Sequence, residues 1–191
     1  PGRAAVDGVA GSGLYVIDNG TSMEARGTLT LDGATVRLAS TGSSTYLRGN
    51  TSVSGSTLNI AGNGSIDFAG ADNANNDITA WHAASTLNIG SGISLTGTQS
   101  GGIFMGTAGA FSGTATAATA GKTLAFNSNG GWTQAGTLLL SGGTMSSTTS
   151  LTNTGTIQGR GAFSLGTSTL TNTGTIFADG GLLNLTGNLV L

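Results

Sequence analysis

The chain has 191 residues, 37% hydrophobic and only 7% charged, with 35 Gly, a single Pro and no Cys. This composition excludes collagen, because Gly follows no three-residue period. It also argues against disorder, which goes with low hydrophobicity and high net charge. A formal charge of −2 and six scattered basic residues give no footprint for nucleic acid or an anionic membrane, and without cysteine neither a disulfide nor a thiolate metal site can form.

Taken in chain order, residues 1–26 are the least regular and read as a first coil. From Gly27 onward, short runs alternate apolar and polar residues: Thr28-Leu29-Thr30-Leu31, Thr35-Val36-Arg37-Leu38, Ser65-Ile66-Asp67-Phe68, Thr86-Leu87-Asn88-Ile89 and Ile93-Ser94-Leu95. Period two marks strands with one buried face. Gly interrupts nearly every stretch, so no helices are expected. No apolar run approaches the ~20 residues of a membrane-spanning helix, and no membrane insertion is expected.

The runs repeat. Ser-Thr-Leu-Asn-Ile occurs at 56–60 and 85–89, and Gly-Thr-Leu-Thr-Leu at 27–31 precedes the first copy by the same interval. Leu29, Leu58 and Leu87 are therefore expected to stack. Leu-Thr-Asn-Thr-Gly-Thr-Ile occurs at 151–157 and 170–176, a shorter interval. It would stack Leu151, Leu170 and Leu189, which are evenly spaced, and Ile157 on Ile176. Asn59 with Asn88, and Asn153 with Asn172, fall in register as amide ladders. A chain that returns to the same strand motif at such intervals is stacking coils, because one coil cannot bury its apolar face alone.

The expected fold is all-β: a right-handed parallel β-helix (β-solenoid) of roughly seven coils of about 19–29 residues. It forms one unit over residues 1–191, read as a segment of a longer array or a stackable subunit. Residues 58–60, 66–68 and 78–80 would be three walls of one coil. The Ala-rich stretch 108–120 reads as a loop or weak strand extending a long coil, and 70–77 as a long turn. The last residues, Leu189, Val190 and Leu191, are apolar and strand-like. They are candidates for end-to-end assembly, covered by further coils or by another copy.

Candidate chemistry is sparse. His82 is the one histidine, beside Trp81, and no second His or Cys completes a zinc site. Asp67, Asp72 and Asp77 form the acidic cluster, but Asp67 would face outward from its strand, and no Lys or Arg falls between Arg48 and Lys122. Residues 72–77 depart from a calcium loop, with Ala74 at a ligand position. Thr-x-Thr pairs at 152/154 and 171/173 are good outward strand residues. No catalytic, cofactor-binding or metal-binding residue is assigned, no cofactor is expected, and the chain reads as a non-enzyme. Long turns on one side of a solenoid commonly carry binding, so Asp72, Asp77, Trp81 and His82 are the candidate surface or ligand contacts.

The repeats at 151–157 and 170–176, the units at 27–31, 56–60 and 85–89, and Gly136-Thr137-Leu138-Leu139-Leu140 resemble the β-solenoid surface proteins of Gram-negative bacteria, the filamentous-haemagglutinin-type exoproteins and autotransporter passengers. The resemblance implies secretion to the cell surface and a long non-catalytic rod with structural or adhesive roles. The partners it implies are other copies, further coils, or glycans and proteins of host or neighbouring cells. A self-assembling filament subunit is the alternative expectation; ice-binding and carbohydrate-active β-helices rank below it.

Overall fold

A computed structural model describes residues 3–6, 12–70 and 75–191. Every regular element among these residues is a strand. The strands pair in parallel from one turn of the chain to the next, and one isolated antiparallel bridge joins Thr86 to Gly106. The chain is a parallel β-solenoid. Long strands such as Thr57–Gly70 and Thr156–Asn172 bend round a corner and so contribute to two walls each.

Three walls surround one core. On the first, Leu58 pairs with Leu87, and further along Trp132 pairs with Leu151, Leu151 with Leu170 and Leu170 with Leu189. On the second, Val36 stacks on Ile66, Ile66 on Leu95, Leu95 on Ala115, Ala115 on Leu138, Leu138 on Ile157 and Ile157 on Ile176. The third stacks Leu47, Ile78, Ile103 and Phe126. Alternation makes these columns: in strand Ile93–Gly97 the residues are buried and half-buried in turn. Each fully buried Leu or Ile contributes about 1.5–3 kcal/mol. Phe68, Phe126 and Phe163 are core residues as their strands predict.

Two expectations about register change. Leu29 does not pair with Leu58; it pairs with Ile60, and Thr28 with Asn59. A slip of two positions keeps every side chain on its face, so alternation cannot choose between the two registers. An irregularity between Asp32 and Ala34 then shifts the pairing by one residue at the start of the second wall. The Ala-rich stretch is not an extension of a long coil. Its strands Ala110–Phe111 and Thr114–Ala117 form a level of their own. Ala115 and Ala117 face inward because a small residue fits between the larger side chains of adjacent levels, Leu95 and Leu138 around Ala115.

The corner between the first and second walls is a column of glycines. A Cβ on Gly136 would collide with the carbonyl oxygen of Gly113, one on Gly155 with that of Gly136, and one on Gly174 with that of Gly155. Those carbonyls accept from Thr137, Thr156 and Thr175 at 2.8, 2.9 and 2.8 Å. Coils approach there with backbone against backbone, which only glycine permits.

Amide ladders form as the repeats predict. Asn88 Nδ2 donates to Asn59 Oδ1 at 3.0 Å, and Asn153 Nδ2 to Asn172 Oδ1 at 2.5 Å. The second ladder runs inside the solenoid: Asn153 and Gln134 are fully buried, and Gln134 stacks on Phe111. Outside, the second wall carries a hydroxyl column, with Thr35, Ser65, Ser94, Thr114, Thr137, Thr156 and Thr175 paired in succession. Thr35 Oγ1 and Ser65 Oγ lie 2.8 Å apart.

Candidate functional site

The outer face of the third wall departs from this Ser/Thr pattern. Strands Thr45–Arg48, Asn76–Thr79, Gly101–Phe104 and Thr123–Asn127 lie side by side there. Because Leu47, Ile78 and Ile103 point inward, their neighbours point out. One outward column reads Tyr46, Asp77, Gly102; the next reads Arg48 and Thr79, both buried, then Phe104 and Asn127. Tyr46, Asp77, Thr79, Trp81, Phe104 and Asn127 line an open groove of 310 Å³.

Trp81 lines it from the turn after strand Asn76–Thr79. It is the one non-glycine among the described residues with positive φ, at 77°. A bulky side chain in the left-handed region is strained, at a cost of order 1–3 kcal/mol, and such strain clusters at functional sites. Local contacts hold it: the Trp81 N–H donates to Thr79 Oγ1 at 2.9 Å, the Arg48 guanidinium sits 4.5 Å from its ring centroid, and the Tyr46 ring meets it edge-on at 5.7 Å. Even so, Trp81 is 40% exposed.

Below the groove the charges are committed. Glu24 is buried and accepts from Thr51 Oγ1 at 2.7 Å and from Arg26 Nε at 3.1 Å; it pairs in register with Arg48. His82 Nε2 lies 3.0 Å from the Thr51 carbonyl oxygen, which accepts when that nitrogen carries the proton. His82 thus clamps the turn after the third wall onto the turn of the level below.

Asp77 lies in a strand, not in the long turn expected from sequence, between Tyr46 and Gly102. Burial pushes its carboxyl up to about 6, because taking the charged form out of water is unfavourable. Gly102 leaves a notch over it, since a Cβ there would run into Asp77 Oδ1. At the upper end, Asn127 Oδ1 accepts from Thr148 Oγ1 at 2.8 Å.

The candidates read from sequence are thus divided. Asp77, Trp81 and His82 share this face, whereas Asp72 lies outside the described residues. Asp67 sits on the second wall, where its Oδ2 accepts from Arg37 Nε at 2.9 Å. Asp67 and Asp77 are therefore not the paired carboxylates that glycoside hydrolysis uses. Among the described residues no group of three His, Cys, Asp or Glu is placed to hold a metal ion. Leu189, Val190 and Leu191 are exposed on and just after strand Thr175–Val190. The two tryptophans part company: Trp132 is buried, stacked on Phe126 at 4.7 Å, and donates from Nε1 to Ser147 Oγ at 3.0 Å.

Sequence reasoning missed Tyr46, Arg48, Gly102, Phe104 and Asn127 as site residues. They come from three levels of the solenoid and share no repeated motif; the signal available was that their strands' inward neighbours are strong apolar residues.

The chain matches no family model, no curated protein and no solved structure.

Proposed function

We propose that the chain is a non-catalytic structural and adhesive rod of a bacterial surface or secreted protein. In this reading it is a right-handed parallel β-helix of roughly seven coils, about 30–35 Å long. The right-handed sense rests on the preference of parallel crossovers, and the extracellular setting on the resemblance to haemagglutinin-type exoproteins and autotransporter passengers. The observation that carries the reading is the unbroken second-wall ladder from Val36 to Ile176. A continuous hydrogen-bonded, close-packed column resists bending and leaves few sites for local opening. Electron microscopy of the purified chain, combined with limited proteolysis, tests it. Short uniform rods that resist digestion are expected; compact particles digested throughout would sink the proposal.

A second reading, a filament subunit, is favoured by the exposed leucines of the last level, Leu182 at 81% and Leu191 at 84%. Head-to-tail contacts of this kind generate open fibres. A concentration series separates the two readings: fibres that grow with concentration support the filament, and rods of constant length remove it.

A further inference from the structure

We propose that the groove around Trp81 binds a neutral, hydroxyl-rich oligosaccharide, with the sugar stacking on Trp81 and its hydroxyls meeting Asp77, Thr79 and Asn127. That such glycans are met outside a cell rests on the adhesive reading above; the groove itself does not.

The contrast between the two tryptophans carries the inference. Trp132 does what a packing residue does: it is 4% exposed, stacked on Phe126, and its indole N–H is satisfied. Trp81 adopts a strained backbone and remains exposed, braced by Arg48 and Tyr46. Bracing an exposed aromatic lowers the entropy lost when a ligand stacks on it. Aromatic rings pair with the apolar C–H faces of pyranoses, as with other amphipathic partners. Ligand sites combine such apolar surface with a few convergent polar groups, and Asp77, Thr79 and Asn127 supply carboxyl, hydroxyl and amide functions that match sugar hydroxyls.

Shape and charge narrow the ligand. A second groove of 320 Å³, lined by Thr21, Ser22, Tyr46, Arg48, Thr51 and Trp81, continues the first across Tyr46 and Trp81. The outward residues from Ser22 to Asn127 span five adjoining strands, about 20 Å of wall at the usual strand spacing. That length suits an oligosaccharide rather than a single sugar. Arg48 lines the second groove but lies in register beside the buried Glu24 carboxylate, while Asp77 faces the first groove, so an acidic sugar meets repulsion there.

The test uses the intact chain and tryptophan emission, with neutral hexasaccharides (β-1,4-glucan, β-1,3-glucan, chitin and mannan) and an acidic one, hexagalacturonate. At least one neutral hexasaccharide should shift the emission and shield Trp81 from iodide quenching, with hexagalacturonate at least tenfold weaker. Trp81→Asn, compared with the parent by titration calorimetry because it lacks the emitting side chain, should weaken that binding at least tenfold while preserving the far-ultraviolet spectrum and melting temperature, because Asn tolerates positive φ. Trp132 remains as the internal reference. Gly102→Val should fill the notch over Asp77 and weaken binding with Trp81 in place. The inference is overturned if no neutral hexasaccharide shields Trp81, if Trp81→Asn binds as tightly as the parent, or if hexagalacturonate binds best. Microscopy decides the rod reading separately, so the two can fail independently.

Discussion

The wide and the narrow levels of this solenoid are built on the same three walls and differ in almost everything outside them. On the second wall, the steps from Val36 to Ile66 and on to Leu95 each take half as much chain again as those from Leu138 to Ile157 and on to Ile176. The extra residues of the wide levels form turns that carry Thr51, Trp81 and His82, and these gather strain and aromatic surface beside Arg48 at the end of strand Thr45–Arg48. The narrow levels use nearly every residue in the ladder, the glycine corner and the amide column. Chain length per level therefore separates scaffold from site: a coil with nothing beyond its walls has nothing to present but the walls.

If that division is right, substitutions in the narrow levels should cost stability and spare the groove, and those in the groove should do the reverse. The largest loss is expected from Leu138→Ala. Leu138 is fully buried between Ala115 and Ile157, and truncating such a residue costs about 2–5 kcal/mol. Denaturant melts would show it, and a cost near zero would mean the levels do not fold as one column.

Gly155→Val comes next, at about 3 kcal/mol from backbone displacement, because a Cβ there lies 2.7 Å from the Ala135 carbonyl oxygen. Gly102→Val, on the open third wall, should cost far less, and equal losses in the two variants would falsify the contrast between corner and groove.

The buried amides allow a finer test. Asn153→Leu alone should destabilise by about 1–2 kcal/mol, because it leaves Asn172 Oδ1 without its donor, whereas Asn153→Leu with Asn172→Leu should be near neutral. Additive losses in that double-mutant cycle would show that the amides are not coupled.

The smallest effect belongs to Asp77. Its folded carboxyl is raised to about 6 from an ordinary value of 3.8, so the neutral form is favoured in the folded state. Its contribution is fully present below pH 3.8 and is lost as pH rises through about 6. Asp77→Asn should therefore raise the melting temperature at pH 8 and leave it unchanged near pH 3.5. The gain is of order 1 kcal/mol once solvent screening of a half-exposed group is allowed for, or about 2–4 °C. A gain as large at pH 3.5 as at pH 8 would rule out the carboxylate as its source.

Much of the scaffold is legible before any coordinates. Leu151, Leu170 and Leu189 stack as their even spacing requires, and Asn59 meets Asn88, because coils that carry the same strand motif keep like residues aligned. Legibility fails where coils differ in length. Leu29 pairs with Ile60 and not Leu58, since a slip of two preserves the alternation and hides the choice. The Ala-rich level escapes notice because Ala115 and Ala117 are weak apolar signals, although they are fully adequate between larger neighbours. Asp77 and Trp81 are visible as candidates; Tyr46, Gly102 and Phe104 are not, because each is ordinary in its own strand.

The amino-acid sequence by itself determined that this chain coils into stacked parallel strands, which residues of each strand face inward, and how the levels with identical repeats align. Those properties follow from local alternation and from spacing along the chain. Only the tertiary structure decided which unlike levels lie against each other, and so which side chains from distant turns share one outer face. Parallel pairing sets Tyr46 beside Asp77 and Asp77 beside Gly102, each step only about 5 Å of wall height although a whole turn of chain separates them. The groove at Trp81 is a property of that juxtaposition, and no one of its strands contains it.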